Sequence, residues 1–142
     1  MVQKNGLEDY YVIRNQKKLR FGYTTGSCAA GAARGAVRLL LGEDEISEVE
    51  LMTPKGILLH LEILDRKRSE NAASCAVRKD AGDDPDTTNG ILVYAKVEKF
   101  LIRSDMEDRI VIDGGIGVGR VTKPGLSQKV GEAAINPVPR AM

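Results

Sequence analysis

The chain has 142 residues and a mass of 15.4 kDa, enough for one globular core and little more. Twenty-one Lys and Arg against twenty Asp and Glu leave a net charge of +1, which speaks against nucleic acid as principal partner. No apolar run reaches the roughly 18–20 residues of a membrane span, the first residues form no signal peptide, and two cysteines make neither a zinc framework nor a disulfide scaffold. A soluble, reduced, cytoplasmic protein without membrane contact is expected. Its fifteen glycines are clustered, and the clusters mark where function is to be sought.

Residues 1–20 are polar and basic apart from Tyr10–Ile13, and read as an N-terminal arm lying over the surface. Residues 21–142 read as one domain. Thr24-Thr25-Gly26-Ser27 precedes a helical run of Ala, Gly, Val and Leu, with Ser27 or Thr25 as N-cap and Gly42 as the C′ glycine. Ala30, Ala33, Val37, Leu40 and Leu41 form the expected apolar stripe. Gly31 and Gly35 each weaken this helix by about 1 kcal/mol relative to Ala. Something must therefore approach it closely: a ligand around Thr24–Cys28 and a sheet at Gly35.

Val49 and Leu51 alternate with Glu48 and Glu50. After the turn Pro54-Lys55-Gly56, Ile57, Leu59, Leu61 and Ile63 share one face, so the two segments read as a hairpin. Periodicity vanishes from Arg66 to Gly90, and Asn71–Gly90 reads as a loop of about 20 residues, a length that marks function. Alternation returns over Ile91–Ile102, with Ile91, Val93, Ala95 and Val97 inward. A turn at 104–108, a strand starting at Arg109–Ile112, a glycine run and a short helix over Ser127–Ala134, ended by Asn136-Pro137-Val138-Pro139, complete the chain. The predicted fold is α+β: a small-residue helix on a mostly antiparallel or mixed β-sheet, with long glycine-rich and acidic loops.

Three polar clusters carry chemistry. At Thr24-Thr25-Gly26-Ser27-Cys28, free backbone N–H groups, the helix dipole and hydroxyls suit a carboxylate or phosphate, although an ordinary N-cap has the same composition. Cys28 lacks a nearby His and reads better as a small buried thiol than as a nucleophile. His60, mid-strand, reads as a polar-face residue. The stretch Ser74–Gly90 holds four aspartates, but neither the spacing nor a terminal Glu makes a calcium loop. Its Arg78 and Lys79 suit anions, and Asp80 or Asp83 is placed to move a proton. The third cluster, Asp113-Gly114-Gly115-Ile116-Gly117-Val118-Gly119, is not G-x-G-x-x-G, and Val121-Thr122-Lys123-Pro124-Gly125 cannot continue a helix. The dinucleotide reading fails. A loop packing on a flat ligand and a chain of tight turns both remain.

Phe21-Gly22-Tyr23-Thr24-Thr25-Gly26-Ser27-Cys28-Ala29-Ala30 resembles the opening motif of the CbiD family, the cobalt-precorrin-5B (C1)-methyltransferases. Val77–Asp86 resembles the second motif, Asp113–Leu126 the third and Gly131–Arg140 the fourth. The resemblance implies methyl transfer from S-adenosylmethionine to C1 of a ring-contracted cobalt corrinoid in anaerobic cobalamin biosynthesis. The cobalt would arrive within the substrate, so no metal ligands are implied. A macrocycle fringed with carboxylates needs distributed anion sites and little side-chain bulk. Thr24, Thr25, Gly26 and Ser27, with Arg78, Lys79, Arg120, Lys123 and Arg140, are the implied carboxylate contacts. Asp113, Gly115 and Gly117 are the implied cofactor contacts, although weak donor binding is expected of these residues alone. Family members continue with further glycine-rich motifs, so the chain reads as their N-terminal part, completed by a missing domain or a homo-oligomer. The rival reading is a non-catalytic module that binds an anionic tetrapyrrole or another polycarboxylate.

Overall fold

The computed structural model describes residues 4–105, 107 and 109–142, so part of the turn expected at 104–108 lies outside the described residues. The chain forms two compact units, Met1–Lys99 and Phe100–Met142. The fold is α+β, and every strand pair is antiparallel.

In the first unit, β1 (Tyr11–Arg14) and β2 (Lys17–Arg20) form a hairpin within the segment read as an arm. Asn15 and Gln16 both have positive φ, 49° and 62°, as a two-residue turn matching the strand twist requires. Ahead of it, Leu7 is buried and Asn5 O accepts the His60 N–H at 2.9 Å.

Helix α1 (Thr25–Leu40) is capped by Thr24, whose Oγ1 accepts the Ser27 N–H at 3.0 Å; neither Ser27 nor Thr25 is the cap. It ends where the sequence placed its end. The Gly42 N–H donates to Leu39 O and the Glu43 N–H to Arg38 O, the paired bonds of a Schellman close. The buried face is not the expected stripe. It consists of Ser27, Cys28, Gly31, Ala32, Gly35, Ala36, Leu39 and Leu40, while Val37 and Leu41 are exposed. The glycines face inward because the sheet lies directly beneath: a Cβ on Gly31 would meet Leu61 Cδ1 at 2.5 Å, and one on Gly35 would meet Ile63 Cδ1 at 2.9 Å and Cys75 Sγ at 3.0 Å. Sheet packing at Gly35 is as expected, and it extends to Gly31.

Strands β3 (Glu48–Met52) and β4 (Leu58–Glu62) pair as the predicted hairpin, with Val49, Leu51, Leu59, Leu61 and the adjoining Ile63 in the core. The region read as a long loop instead begins with strand, and only the part after Arg78 up to Gly90 is loop. β5 (Leu64–Arg68), β6 (Ala72–Arg78) and β7 (Leu92–Glu98) form a three-stranded sheet with β6 in the middle. Ala73, Cys75, Ala76 and Val77 are fully covered, and Cys75 Sγ donates to Ala32 O at 3.0 Å. Small residues on β6 let the α1 backbone come this close, and the same smallness erases the alternation that announces a strand.

In the second unit, Val121 and Ala133 are buried, and Arg120 and Ala133 form an isolated antiparallel bridge. Arg109–Ile112 is not a strand, and Ser127–Ala134 is not a helix. Helix α2 is Pro137–Ala141, with Asn136 as N-cap; proline starts it, because the first helical position needs no N–H. Among the described residues, no helix is long and apolar enough to cross a membrane.

Candidate functional site

Ala73, Cys75 and Val77 point from β6 towards α1, and alternation carries Lys79 onto the same side. Its side chain is 8% exposed. A buried ammonium must be paired, and this one spends all three N–H groups: on Thr25 Oγ1 at 3.0 Å, Asp86 Oδ2 at 2.7 Å and Thr88 Oγ1 at 2.7 Å. Lys79 thus ties the first turn of α1 to the acidic loop, and the freely offered cation expected from the sequence is not what the fold presents. Asp86 also accepts the Thr88 N–H and O–H through Oδ1. Lys79, then these Thr88 groups, hold its carboxyl far below the usual carboxylate range.

The first two motifs also cross backbone to backbone. Phe21 and Gly82 form an antiparallel bridge, the Tyr23 N–H donates to Asp80 O at 2.9 Å, and a Cβ on Gly22 would collide with the Ala81 backbone. Arg20, which the sequence did not single out, organises the crossing. Its N–H donates to Asp83 Oδ2 at 2.6 Å, and its guanidinium lies 3.7 Å from both Asp80 and Asp83. Asp80 Oδ1 accepts the Gly82 N–H, and Asn89 Oδ1 accepts the Ala81 N–H, so the two acids are built into the loop. Burial, then the neighbouring Asp80, pushes the Tyr23 phenol up to about 12.

Arg78, on the opposite parity to Lys79, is exposed. One Nη1 donates to Gly90 O at 2.9 Å. At the start of α1 the Ser27 N–H is capped by Thr24, whereas Thr25 and Gly26 keep backbone N–H groups with no partner among the described residues. Cys28 is 0% exposed, and burial pushes its thiol up to about 11 against the opposing pull of Lys79. It is the buried thiol expected. His60 Nδ1 lies 3.3 Å from Glu48 and 3.7 Å from Glu50, on the outer face of the hairpin and apart from these residues.

In the second unit, Asp113 Oδ1 and Oδ2 accept from Arg120 Nη1 and Nη2 at 2.7 and 3.3 Å, and Oδ1 also accepts the Gly114 N–H. Asp113 is held below its ordinary pKa, chiefly by Arg120. The third and fourth motifs are laced together: the Val121 N–H donates to Glu132 O, and the Ala134 N–H to Gly119 O. A Cβ on Gly115 or Gly117 would meet nothing within 4 Å, so no close contact among the described residues requires glycine at either position. Lys123 and Arg140 are exposed.

The CbiD family model matches residues 12–142, and so includes all four motifs. The chain belongs to the CbiD family. It is 54% identical over 132 residues to a cobalt-precorrin-5B C(1)-methyltransferase of Ruminiclostridium cellulolyticum, a match covering 93% of this chain and 33% of that protein. Proteins of the same name from Alkaliphilus metalliredigens and Geobacter metallireducens are both 52% identical, over 93% and 90% of this chain and 34% and 35% of their own lengths. The CbiD chain thus spans about a third of the curated relatives it matches. No solved structure matches it.

Within this CbiD chain the fold brings Thr24–Ser27 together with Lys79, and Asp80 together with Asp83. Sequence reasoning missed Arg20, Tyr23, Asp86, Thr88 and Asn89. One signal was available: Lys79 falls two and four residues after Val77 and Cys75, on the parity of the buried face.

Proposed function

We propose that this chain supplies the substrate-holding part of a cobalt-precorrin-5B C1-methyltransferase, acting in the cytoplasm on a corrinoid whose C1 accepts the methyl of S-adenosylmethionine. The supporting observation is the junction of two family motifs at the first turn of α1, through Lys79, Asp86 and Thr25. It occurs in a chain about half identical to proteins of that name.

The corrinoid's acetate and propionate groups call for donors spread over a surface. In this reading Arg78 and the Thr25 and Gly26 amides are the donors of the first unit; Lys123 and Arg140 are exposed cations of the second unit, each unit taken by itself. Lys79 is a positioning residue in this reading; to bind a carboxylate directly it would have to release one of its three acceptors. Arg120 would likewise have to leave Asp113. Asp83 serves as an anchor of the loop, and any proton movement is assigned to Asp80, whose second oxygen has only the longer Arg20 contact. Holding the macrocycle in line with the donor is the main source of rate in such a transfer.

In this reading Asp113, Gly115 and Gly117 are not the methyl-donor contacts. The carboxylate a ribose would need is already paired, and the glycines open onto free space. We therefore assign the donor to the part of the family polypeptide outside the matched third.

The test uses a cobalt-precorrin-5B substrate and methyl-labelled donor, with the chain alone and co-expressed with the remainder of the R. cellulolyticum relative. Corrinoid binding by the chain alone, with label transfer only when both pieces are present, is the expected result. Absence of corrinoid binding overturns the proposal. Binding without transfer in the presence of both pieces would favour the non-catalytic polycarboxylate module.

A further inference from the structure

Among the described residues, the strongest β-forming segment of the second unit has no strand partner. Ile110, Val111 and Ile112 are β-branched, as strand residues characteristically are, and they are 79%, 63% and 43% exposed. No backbone hydrogen bond joins them to any described residue. In an extended segment Ile110 and Ile112 face one side and Val111 the other. Both faces are therefore apolar, the composition of a strand covered on two sides rather than of an edge beside water. The rest of the unit cannot supply that cover. Among its described hydrophobic residues only Val121 and Ala133 are buried, while Leu101 and Ile116 are fully or almost fully exposed. A unit of this size has too little core to hold a sheet by itself.

We propose that Arg109–Ile112 is a β-strand in waiting, which completes its ladder by strand addition to the polypeptide that the curated relatives carry outside the matched third. Relative length selects this occupant. The chain accounts for 33–35% of each of three relatives while aligning over 90–93% of its own residues, so two-thirds of the family polypeptide is available to cover the face. A single polar edge would suit a transient peptide. A segment apolar on both sides suits permanent burial within a larger sheet.

The experiment co-expresses this chain with the part of the R. cellulolyticum relative outside its aligned third, and reads complex formation by size-exclusion chromatography and amide exchange by mass spectrometry. Co-elution, with exchange at Ile110–Ile112 slowed in the complex, is expected. Val111→Pro removes a ladder N–H, and Ile110→Lys with Ile112→Lys removes one apolar face; each should abolish co-elution. Unchanged protection of β6 in these variants shows that the first unit remains folded. Complex formation that leaves 110–112 unprotected, or that survives Val111→Pro, overturns the proposal. So does self-association of the chain with the same protection, or absence of binding. Methyl transfer is not measured, so the outcome is independent of the proposed activity.

Discussion

Lys79 donates to Thr25 Oγ1 at 3.0 Å across 54 positions of sequence, so the helix that starts within the first family motif is fastened by a residue that stands inside the second. The neighbouring Arg78 points the other way and carries its guanidinium at the surface. Adjacent basic residues thus have different physical tasks, and replacing them separately distinguishes the two. Arg78→Ala should weaken corrinoid binding by about 1.5–3 kcal/mol, the worth of one charge-assisted contact, with the melting temperature unchanged. Lys79→Met should lower the melting temperature, because the α1 turn and the acidic loop lose their common tether. Calorimetric titration and thermal melts check the pair; a melting loss for Arg78→Ala would contradict the assignment.

The Asp86 carboxyl has a folded-state pKa depressed by Lys79 and Thr88. A depressed acid binds fewer protons folded than unfolded near its unfolded value of about 3.9. Its contribution is therefore complete above about pH 4 and drains away as pH falls towards the folded value. Asp86→Asn should destabilise the protein at pH 7 and flatten the acid limb of its stability profile. Denaturant melts between pH 2 and 7 read this directly. An acid limb equally steep in the variant would remove Asp86 as a source of the acid sensitivity.

Gly35 lies over Ile63 and Cys75, with no room for a methyl group. Gly35→Ala gains about 1 kcal/mol in helix propensity but overpacks the interface by about 1–3 kcal/mol. The net expectation is a modest loss of stability. Gly22→Ala should cost more, since its obstacle is the Ala81 and Asp80 backbone rather than the end of a side chain. Urea denaturation of the two variants gives the order, and a stabilised Gly35→Ala protein would contradict the packing account.

Cys28 and Cys75 are both pushed up to about 11 by burial, so at pH 8 only about one thiol in a thousand is ionised. Native protein should label with a disulfide reagent at the rate of transient unfolding, whereas denatured protein should label at once. Cys28→Ala should leave corrinoid binding intact. Fast labelling of one native thiol would instead reveal an accessible nucleophile.

The sequence by itself determined the elements whose residues contrast with their neighbours. Alternation of Val49 and Leu51 with glutamates, and of Leu59, Leu61 and Ile63 beyond a Pro-Lys-Gly turn, dictates one hairpin with one buried face. Gly42 likewise specifies where α1 stops. The four motifs were sufficient to identify the family. Where side chains are small, that contrast disappears: Ala72–Val77 reads as loop yet forms the central strand, because burial there is set by how closely α1 approaches. The inward side of α1 was hidden for the same reason, its glycines facing the sheet while Val37 and Leu41 remain outside. Only the tertiary structure turned Lys79 from a surface cation into a buried tether, since its partners Thr25, Asp86 and Thr88 converge only in the fold. At Ile110–Ile112 strand propensity is present without a ladder, because a β-strand is completed by hydrogen bonds to a neighbouring strand, and none of the described residues supplies one.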